Sequence, residues 1–187
     1  MALLVNVMGA PCSGKSTLIS MFKKNYPGRC ACFLIDEIRV RVAARLNPME
    51  YDVWEELRRK VLAELSRLGV KRDDAIIIES SGLSTKLPSI VWAAILEGHC
   101  VQNIHLIGLS EDFKERLRQR IQSPNYKPIP FEYPTLSMED LIDKCANKLE
   151  QLWSDSTFIY TDNQYGIDKS YKKFEEVILE RLRMFCK

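Results

Sequence analysis

The stretch Gly9-Ala10-Pro11-Cys12-Ser13-Gly14-Lys15-Ser16 matches the pattern G-x-x-x-x-G-K-[ST] at every fixed position. The glycines of this pattern let backbone N–H groups point inward at phosphate oxygens, where a helix begins. The lysine places a cation beside the β- and γ-phosphates, and the serine hydroxyl is a ligand suited to Mg²⁺. The octet therefore predicts a binding site for a nucleoside triphosphate with Mg²⁺.

The residues on either side of the octet favour the same prediction. Leu3–Met8 is an apolar run typical of a strand buried on both faces, and Lys15–Asn25 has the pattern of a helix. A buried strand, a glycine loop and a helix in this order are the context that the motif requires. The residues that we expect to bind ATP are Gly9, Ala10, Pro11, Cys12, Ser13, Gly14, Lys15, Ser16 and Thr17.

Apolar strands alternate with helical patterns along the rest of the chain. We predict further strands at Ala31–Ile35, Ala75–Ile78, Val101–Leu106 and Thr157–Tyr160. The alternation predicts parallel βαβ units, and hence an α/β fold, a three-layer α/β/α sandwich around a five-stranded parallel sheet. We expect one domain over residues 1–187, with a small lid at about residues 111–135. The helices are predicted at Lys15–Asn25, Asp36–Leu46, Asn47–Leu68, Pro88–Glu97, Ser110–Gln122, from Ser137 onward and at Ser170–Phe185.

The overall composition narrows the class of protein. The net charge of +2 is too small for a protein that coats a polyanion, and no apolar run approaches the length of about 20 residues that crosses a bilayer. The six cysteines have no disulfide or zinc spacing, because Cys30-x-Cys32 is too close for a zinc knuckle and has no second pair. With no signal peptide at the N-terminus, we expect a reduced, cytoplasmic protein without a membrane partner. The sequence does not indicate an oligomeric state.

The phosphate loop is shared by GTPases, motors and small kinases. A GTPase needs Asn-Lys-x-Asp after a strand, and the nearest string, Asn147–Glu150, lies within a helical pattern. Glu79-Ser80-Ser81-Gly82 is only a loose match to a switch Asp-x-x-Gly. The small size and an arginine-rich segment before a proline-rich stretch favour a kinase whose lid supplies cations.

Four short stretches carry a family resemblance. These stretches are Gly9–Thr17, Asp36–Arg39, Ile76–Ser80 and the pair Arg116 and Arg120. Over roughly the first two-thirds of the chain, their order and spacing resemble the polynucleotide kinase and zeta-toxin-like group of P-loop kinases, especially the phage 5′-hydroxyl polynucleotide kinase domain. The resemblance implies ATP and Mg²⁺ as cofactors and a hydroxyl as acceptor.

The resemblance also implies a role for each stretch beyond the loop. It implies that Asp36 activates the acceptor hydroxyl, that Arg39 holds the acceptor's phosphate, and that Arg116 and Arg120 brace the transferred phosphoryl group beside Lys15. The carboxylate of Glu79 would either help Ser16 to hold Mg²⁺ or bind the acceptor. The polynucleotide kinase pattern has Asp at this position. Because the register between the two sequences can differ by one residue, either Glu79 or Ser80 corresponds to that Asp.

The residues themselves leave some roles open. A carboxylate at the end of the second strand is well placed to accept a proton, but Asp36 is also a good helix N-cap. Arg39 lies one turn from Asp36 and either binds the acceptor or lies on the helix surface. Arg116 and Arg120, four residues apart, repel each other unless an anion lies between them, which favours a phosphate contact. Tyr126, Phe131 and Tyr133 near Lys127 either stack on bases or anchor the lid, and His99 and His105 are expected to be structural.

The leading functional hypothesis is transfer of the γ-phosphoryl group of ATP to a hydroxyl of a nucleic acid or nucleotide. A DNA or RNA 5′-hydroxyl and a hydroxymethylated DNA base are both acceptors of this kind. The alternatives are a nucleoside or deoxynucleoside monophosphate kinase, whose acceptor needs no general base, and a small-metabolite kinase. A further alternative, from a different class, is a binding module that nucleotides regulate.

Overall fold

The computed structural model describes residues 2–45, 50–68, 75–124, 126, 136–153 and 155–185. Five strands and seven helices alternate along these residues. The strands are β1 (Leu3–Gly9), β2 (Cys30–Leu34), β3 (Ala75–Ser80), β4 (Cys100–Ile107) and β5 (Thr157–Tyr160). The helices are α1 (Lys15–Asn25), α2 (Ile35–Ala43), α3 (Glu50–Leu68), α4 (Leu87–Leu96), α5 (Ser110–Gln122), α6 (Met138–Leu152) and α7 (Ile167–Phe185).

The strands form one parallel sheet in the order β2-β3-β1-β4-β5. Its central strand, β1, pairs with β3 and β4, so that Val7 lies opposite Glu79 on one side and Ile104 on the other. Every residue of β1 and β3 is buried, as expected for parallel strands covered by helices on both faces. The predicted α/β sandwich with a five-stranded parallel sheet is therefore confirmed.

Side chains of β1 alternate between two separate cores because the period of a strand is two residues. Leu4 and Met8 pack under α2, α3 and α4, whereas Leu3, Val5 and Val7 pack under α1 and α7. Two sets of helices thus hold the central strand from opposite faces. This arrangement fixes the position of the loop that follows Gly9.

A third, smaller core lies beside the carboxyl end of the sheet. It joins Ala10 of the loop to Phe113 and Leu117 of α5 and to a row of apolar residues on α6. Ser137 caps α6, since its hydroxyl accepts a hydrogen bond from the Asp140 backbone N–H at 3.0 Å. The two helices over the loop are thus tied to it by apolar contacts. The row on α6 consists of Leu141, Ile142, Cys145 and Leu149.

Some predicted element ends need correction. Helix α2 begins at Ile35 and its N-cap is Leu34, so the hypothesis that Asp36 is the N-cap is wrong. The reason is that β2 pairing ends at Leu34, opposite Glu79, and the chain turns into the helix at once. Helix α2 also ends at Ala43 rather than residue 46, and α7 begins at Ile167 rather than residue 170. The predicted helix start at residues 47–49 and stop at residue 69 lie outside the described residues.

Two findings bear on the compositional predictions. Among the residues that the structure describes, no helix is both long enough and apolar enough to cross a membrane. Cys12, Cys30, Cys32, Cys100 and Cys145 do not form disulfides with one another. Cys186 lies outside the described part of the chain.

Gly82, in the loop after β3, is a position where we predict a large cost for a side chain. Its φ is +77°, and a Cβ atom would lie 2.7 Å from Leu149 Cδ2 and 3.1 Å from Met8 Cβ. Left-handed strain and overpacking together should make Gly82→Ala less stable by about 3 kcal/mol, measured as the free energy of unfolding in urea. The matched control is Gly98→Ala, which has a φ of +79° but no described atom within 4 Å of the new Cβ. It should cost about 1 kcal/mol, and equal losses in the two variants would contradict the packing argument.

Candidate active site

The glycine loop between β1 and α1 has the backbone of a tight phosphate loop. A Cβ atom on Gly9 would lie 2.7 Å from Ser13 Oγ and 2.9 Å from the Leu106 carbonyl oxygen, so the close approach requires glycine. Gly14, at the N-cap of α1, has a φ of +90°, and Cys12 has a φ of +62° although it carries a side chain. Non-glycine residues in this region are uncommon and cluster at functional sites.

Lys15 lies within this loop rather than in bulk solvent. Its side chain is only 9% exposed, and Nζ donates hydrogen bonds to the carbonyl oxygens of Gly9 at 3.0 Å and Ala10 at 2.8 Å. The ammonium group is therefore held at the mouth of the loop, where phosphate oxygens would replace the two carbonyls. The geometry fits a polyphosphate.

Ser16 and Glu79 form the second polar pair of the site. The Ser16 hydroxyl donates to Glu79 and lies 2.9 Å from Oε1 and 3.0 Å from Oε2. Burial raises the pKa of Glu79, while Lys15 and the Ser16 hydrogen bond act in the opposite direction. A buried carboxylate beside a hydroxyl is an oxygen donor set suited to Mg²⁺, and these two residues fit that ion.

The acid and the arginine after β2 form an ion pair. Arg39 Nη1 lies 3.1 Å from Asp36 Oδ1, and the side chains are 10% and 46% exposed, respectively. The hypothesis that Arg39 is solvated helix surface is therefore wrong, because α2 turns this side chain inward. Asp36 keeps half of its surface accessible while its orientation is fixed by the guanidinium.

These groups line one cavity of about 700 Å³ at the carboxyl edge of the sheet. Such edges are where open α/β sheets bind ligands. The loop forms one wall, Asp36 and Arg39 a second, and Arg116 and Arg120 of α5 a third. Leu117, Tyr126, Leu136, Met138 and Leu141 form an apolar and aromatic fourth wall.

The two arginines of α5 have different environments. Arg116 Nη2 donates to the Thr161 carbonyl at 2.7 Å and to Asn163 Oδ1 at 2.8 Å, and Nη1 approaches the Cys12 carbonyl at 3.4 Å. The Arg120 side chain is exposed and forms no hydrogen bond or ion pair with any described residue, and its charge partly opposes the rise that burial causes in the pKa of Glu79. Arg116 is thus fastened beside the loop, whereas Arg120 is available to a ligand.

Three solved structures with a similar fold are named as kinases. A shikimate kinase from Bacteroides thetaiotaomicron has a TM-score of 0.58 and 14% identity, over 94% of this chain and 98% of that one. A gluconokinase from Sinorhizobium meliloti 1021 has a TM-score of 0.51 and 14% identity, over 95% of each chain. A sugar kinase from Janibacter sp. HTCC2649 has a TM-score of 0.51 and 19% identity, over 100% of this chain and 95% of that one.

The chain has the P-loop kinase fold. At these identities the likeness establishes the fold alone, and no family model and no curated sequence matches the chain. The resemblance to the polynucleotide kinase group stays a prediction, because these neighbours do not distinguish that group.

Within this P-loop kinase fold, a second cavity of about 360 Å³ lies on the other side of the loop. Gly14, Thr17 and Arg116 line it, together with the segment that follows β5. No sequence pattern predicts a role for this segment, because nothing in Thr161-Asp162-Asn163 resembles a motif. Its place directly after the predicted strand Thr157–Tyr160 could have indicated it, since the carboxyl ends of all parallel strands lie at the same edge of the sheet. The residues of the segment that line the cavity are Thr161, Asp162, Asn163, Gly166 and Ile167.

The structure brings most of the predicted site residues together. All of the loop from Gly9 to Thr17 lines one or both cavities except Ala10, whose side chain belongs to the third core. Ser80, the alternative to Glu79, is buried in β3 and its hydroxyl accepts from the Gly82 N–H at 3.1 Å. Glu79 and Ser80 both line the first cavity, and Glu79 is the one that accepts the hydrogen bond from Ser16. Lys127, Phe131 and Tyr133 lie outside the described residues, as do residues 127–135 of the predicted lid.

The two histidines do not belong to either cavity. His99 accepts a hydrogen bond at Nδ1 from the Ala2 N–H at 3.2 Å. His105 is 3% exposed, contacts Phe158 at 5.4 Å between ring centroids, and has no hydrogen-bond partner for Nδ1 among the described residues. Burial, with a smaller contribution from Lys15, lowers the pKa of His105 to about 4.

The buried His105 gives a prediction for stability against pH. The unfolded chain binds a proton at this residue below its ordinary pKa of about 6.5, whereas the folded chain binds it only below about 4. Stability is therefore lost as the pH falls through that window, by about 2–3 kcal/mol from this residue between pH 7 and about pH 4.5. The measurement is urea unfolding at several pH values for the wild type and His105→Gln. The variant should lose less stability in acid, and parallel curves would contradict the assignment.

Proposed function

We propose that this protein is an ATP-dependent phosphotransferase that moves the γ-phosphoryl group to a hydroxyl of a small acceptor. The observation that carries the proposal is that one cavity is lined both by the phosphate loop and by the Asp36–Arg39 pair. A cation for phosphates and a carboxylate for a hydroxyl proton then face the same space. A binding module that only senses nucleotides has no need of the second pair.

In the proposed reaction the acceptor oxygen attacks the γ-phosphorus, and the bond to the bridging oxygen of ADP breaks. Asp36 accepts the proton that the acceptor hydroxyl loses, and Arg39 keeps the carboxylate oriented toward it. The ammonium group of Lys15 stays in contact with the β- and γ-phosphates. The guanidinium of Arg120 adds positive charge that stabilises the phosphoryl group during its transfer. Ser16 and Glu79 would hold Mg²⁺, which neutralises phosphate charge when bound.

The second cavity is the proposed place for the nucleoside of ATP. It begins at Gly14 and Thr17 of the loop, so a triphosphate in the loop can extend into it. Arg116 lies between the two cavities and offers the flat face of its guanidinium. The base would lie near Asn163, whose side-chain oxygen already holds that guanidinium.

Two classes of acceptor fit the first cavity. A small hydroxylated metabolite is favoured by the cavity volume of about 700 Å³, which lies in the usual range of small-molecule sites, and by the shikimate, glucono- and sugar kinases among the structural neighbours. A nucleotide or a polynucleotide 5′-hydroxyl, as the family resemblance implies, is the second candidate. It is favoured by Tyr126, an aromatic ring on the cavity wall near Arg120 that is suited to stack on a base.

The test is a transfer screen with ATP labelled at the γ-phosphate. The acceptors are sugars, sugar acids, polyhydroxylated ring acids, nucleosides and oligonucleotides with a 5′-hydroxyl, each with Mg²⁺ and with EDTA. We expect a labelled product from one acceptor class, dependent on Mg²⁺ and absent from Lys15→Met. Slow hydrolysis with every acceptor, together with nucleotide-dependent binding of a protein partner, would favour the binding module instead.

A further inference from the structure

The outward face of α4 is apolar and exposed. Trp92 is 62% exposed, Leu96 is 83% exposed, and Ile95 is exposed beside them. The helix carries no charged residue from Leu87 to Leu96. Its opposite face packs into the core under the sheet, so the fold does not require the three exposed side chains. A cluster of large apolar side chains in solvent marks an interaction surface.

The two ends of α4 carry opposite charges. Lys86 is the N-cap of the helix and Glu97 is its C-cap, and both residues are exposed. They are about three helical turns apart and therefore lie on the same side of the helix. In an antiparallel pair of α4 helices related by a two-fold axis, Lys86 of each copy lies beside Glu97 of the other copy. The charges of α4 thus complement those of a second α4 in that orientation.

The side chains along the exposed face also complement one another in size. In a register close to the one that pairs the helix ends, Ser89 of one copy lies opposite Leu96 of the other, and Trp92 lies opposite Ala93. Each large side chain then meets a small one, which allows two helices to pack closely. Because the face itself is uncharged, this contact brings no like charges together.

We propose that α4 is a self-association surface, which packs on α4 of a second copy of this chain in an antiparallel, two-fold dimer. A helix of this length is about 15 Å long and about 10 Å wide, so the contact of α4 alone is smaller than a permanent interface. The dimer is therefore reversible. No α4 residue that the structure describes lines either cavity, so both cavities stay open in the dimer.

The experiment is sedimentation velocity of the full-length protein at concentrations from about 5 to about 500 µM, over which a weak dimer accumulates by mass action. We expect the weight-average sedimentation coefficient to rise toward that of a dimer. Leu96→Lys places a charge on the contact face and should raise the dimer dissociation constant at least about tenfold. The matched control is Met184→Lys on α7, where the native side chain is 62% exposed, and it should leave the constant unchanged.

Charge reversal at the helix ends tests the orientation of the two copies. Lys86→Glu and Glu97→Lys each place like charges together at both ends of the contact, and each should weaken the dimer by about three- to tenfold. The double variant K86E/E97K should restore it. Both changes agree with the helix dipole, so we expect the fold to be retained, which urea unfolding curves check.

Several outcomes would overturn the proposal. A protein that stays monomeric over the whole concentration range would do so, as would a dimer that Leu96→Lys leaves intact. A dimer that K86E/E97K fails to restore would overturn the antiparallel arrangement. A monomer whose Trp92 fluorescence shifts to shorter wavelength on phosphatidylcholine vesicles would also overturn it and indicate a lipid surface as the occupant. These measurements contain no ATP, so their result is independent of the proposed phosphoryl transfer.

Discussion

Asp36→Asn is expected to lower the rate of phosphoryl transfer to a hydroxyl by about 100- to 10,000-fold. The amide has the shape of the carboxylate and can accept a hydrogen bond from Arg39, which lies 3.1 Å away in the native pair. The amide cannot accept the proton of the acceptor hydroxyl, so the variant should lose stabilisation of the transition state but not of the bound substrates. The dissociation constant for ATP should stay within about threefold, because Asp36 faces the acceptor side of the cavity. The measurements are kcat, KM for the acceptor identified in the screen, and ATP affinity by calorimetry.

The control for this variant is Glu37→Gln. Glu37 shares the first turn of α2 with Asp36 but is exposed, so the same loss of charge occurs without loss of the candidate base. We expect its kcat within about twofold of the wild type. A similar loss in both variants would assign the effect to the electrostatics of the helix start. Retention of activity in Asp36→Asn would indicate an acceptor that is already a phosphate, as in a monophosphate kinase.

Much of the sheet could be predicted because its strands are buried on both faces. Leu3–Met8 is apolar except for Asn6, Ala75–Ile78 is apolar throughout, and the structure extends these runs by only one or two residues. The start of α2 was misplaced by one residue because propensity favours Asp36 as a cap. Pairing with β3, a tertiary contact, ends the strand earlier instead.

The parts of the site that could be predicted are those whose residues lie close together in the sequence. Lys15 and Ser16 belong to a contiguous motif, and the pair Asp36 and Arg39 lies within one helical turn. The hydrogen-bond partners of Arg116 were not predictable, because Thr161 and Asn163 lie 45 and 47 residues further along the chain. Only the position of β5 at the sheet edge brings these partners to α5.

Arg116 and Arg120 have different environments, although the family resemblance implies the same role for both. Arg116, in the middle of α5, joins that helix to the segment after β5 through hydrogen bonds to the Thr161 carbonyl and Asn163. Its replacement would disturb the loop and both cavities together. Arg120 lies one turn further along the same helix, and its side chain has no hydrogen bond or ion pair with any described residue. A variant of Arg120 therefore tests the chemistry with little effect on the fold.

Arg120→Met is expected to lower kcat by about 1,000-fold or more, as expected for an arginine that stabilises the transferred phosphoryl group. Arg120 lines the same cavity as Lys15 and Ser16 of the phosphate loop, so we expect its charge to act on a γ-phosphate bound there. Because this charge is needed most as the phosphoryl group moves, KM and the free energy of unfolding should change little. The measurements are steady-state kinetics and urea unfolding.

Arg118→Met is the matched control, since Arg118 lies on α5 between the two arginines and pairs with Glu115 and Glu139, each at 3.5 Å. Exposed pairs of this kind contribute about 0–1 kcal/mol, so this variant should keep nearly full activity. Equal losses in Arg118→Met and Arg120→Met would show that the helix needs its overall charge rather than one guanidinium at the cavity. A rise in KM for ATP with unchanged kcat in Arg120→Met would assign Arg120 to binding of the ground state alone.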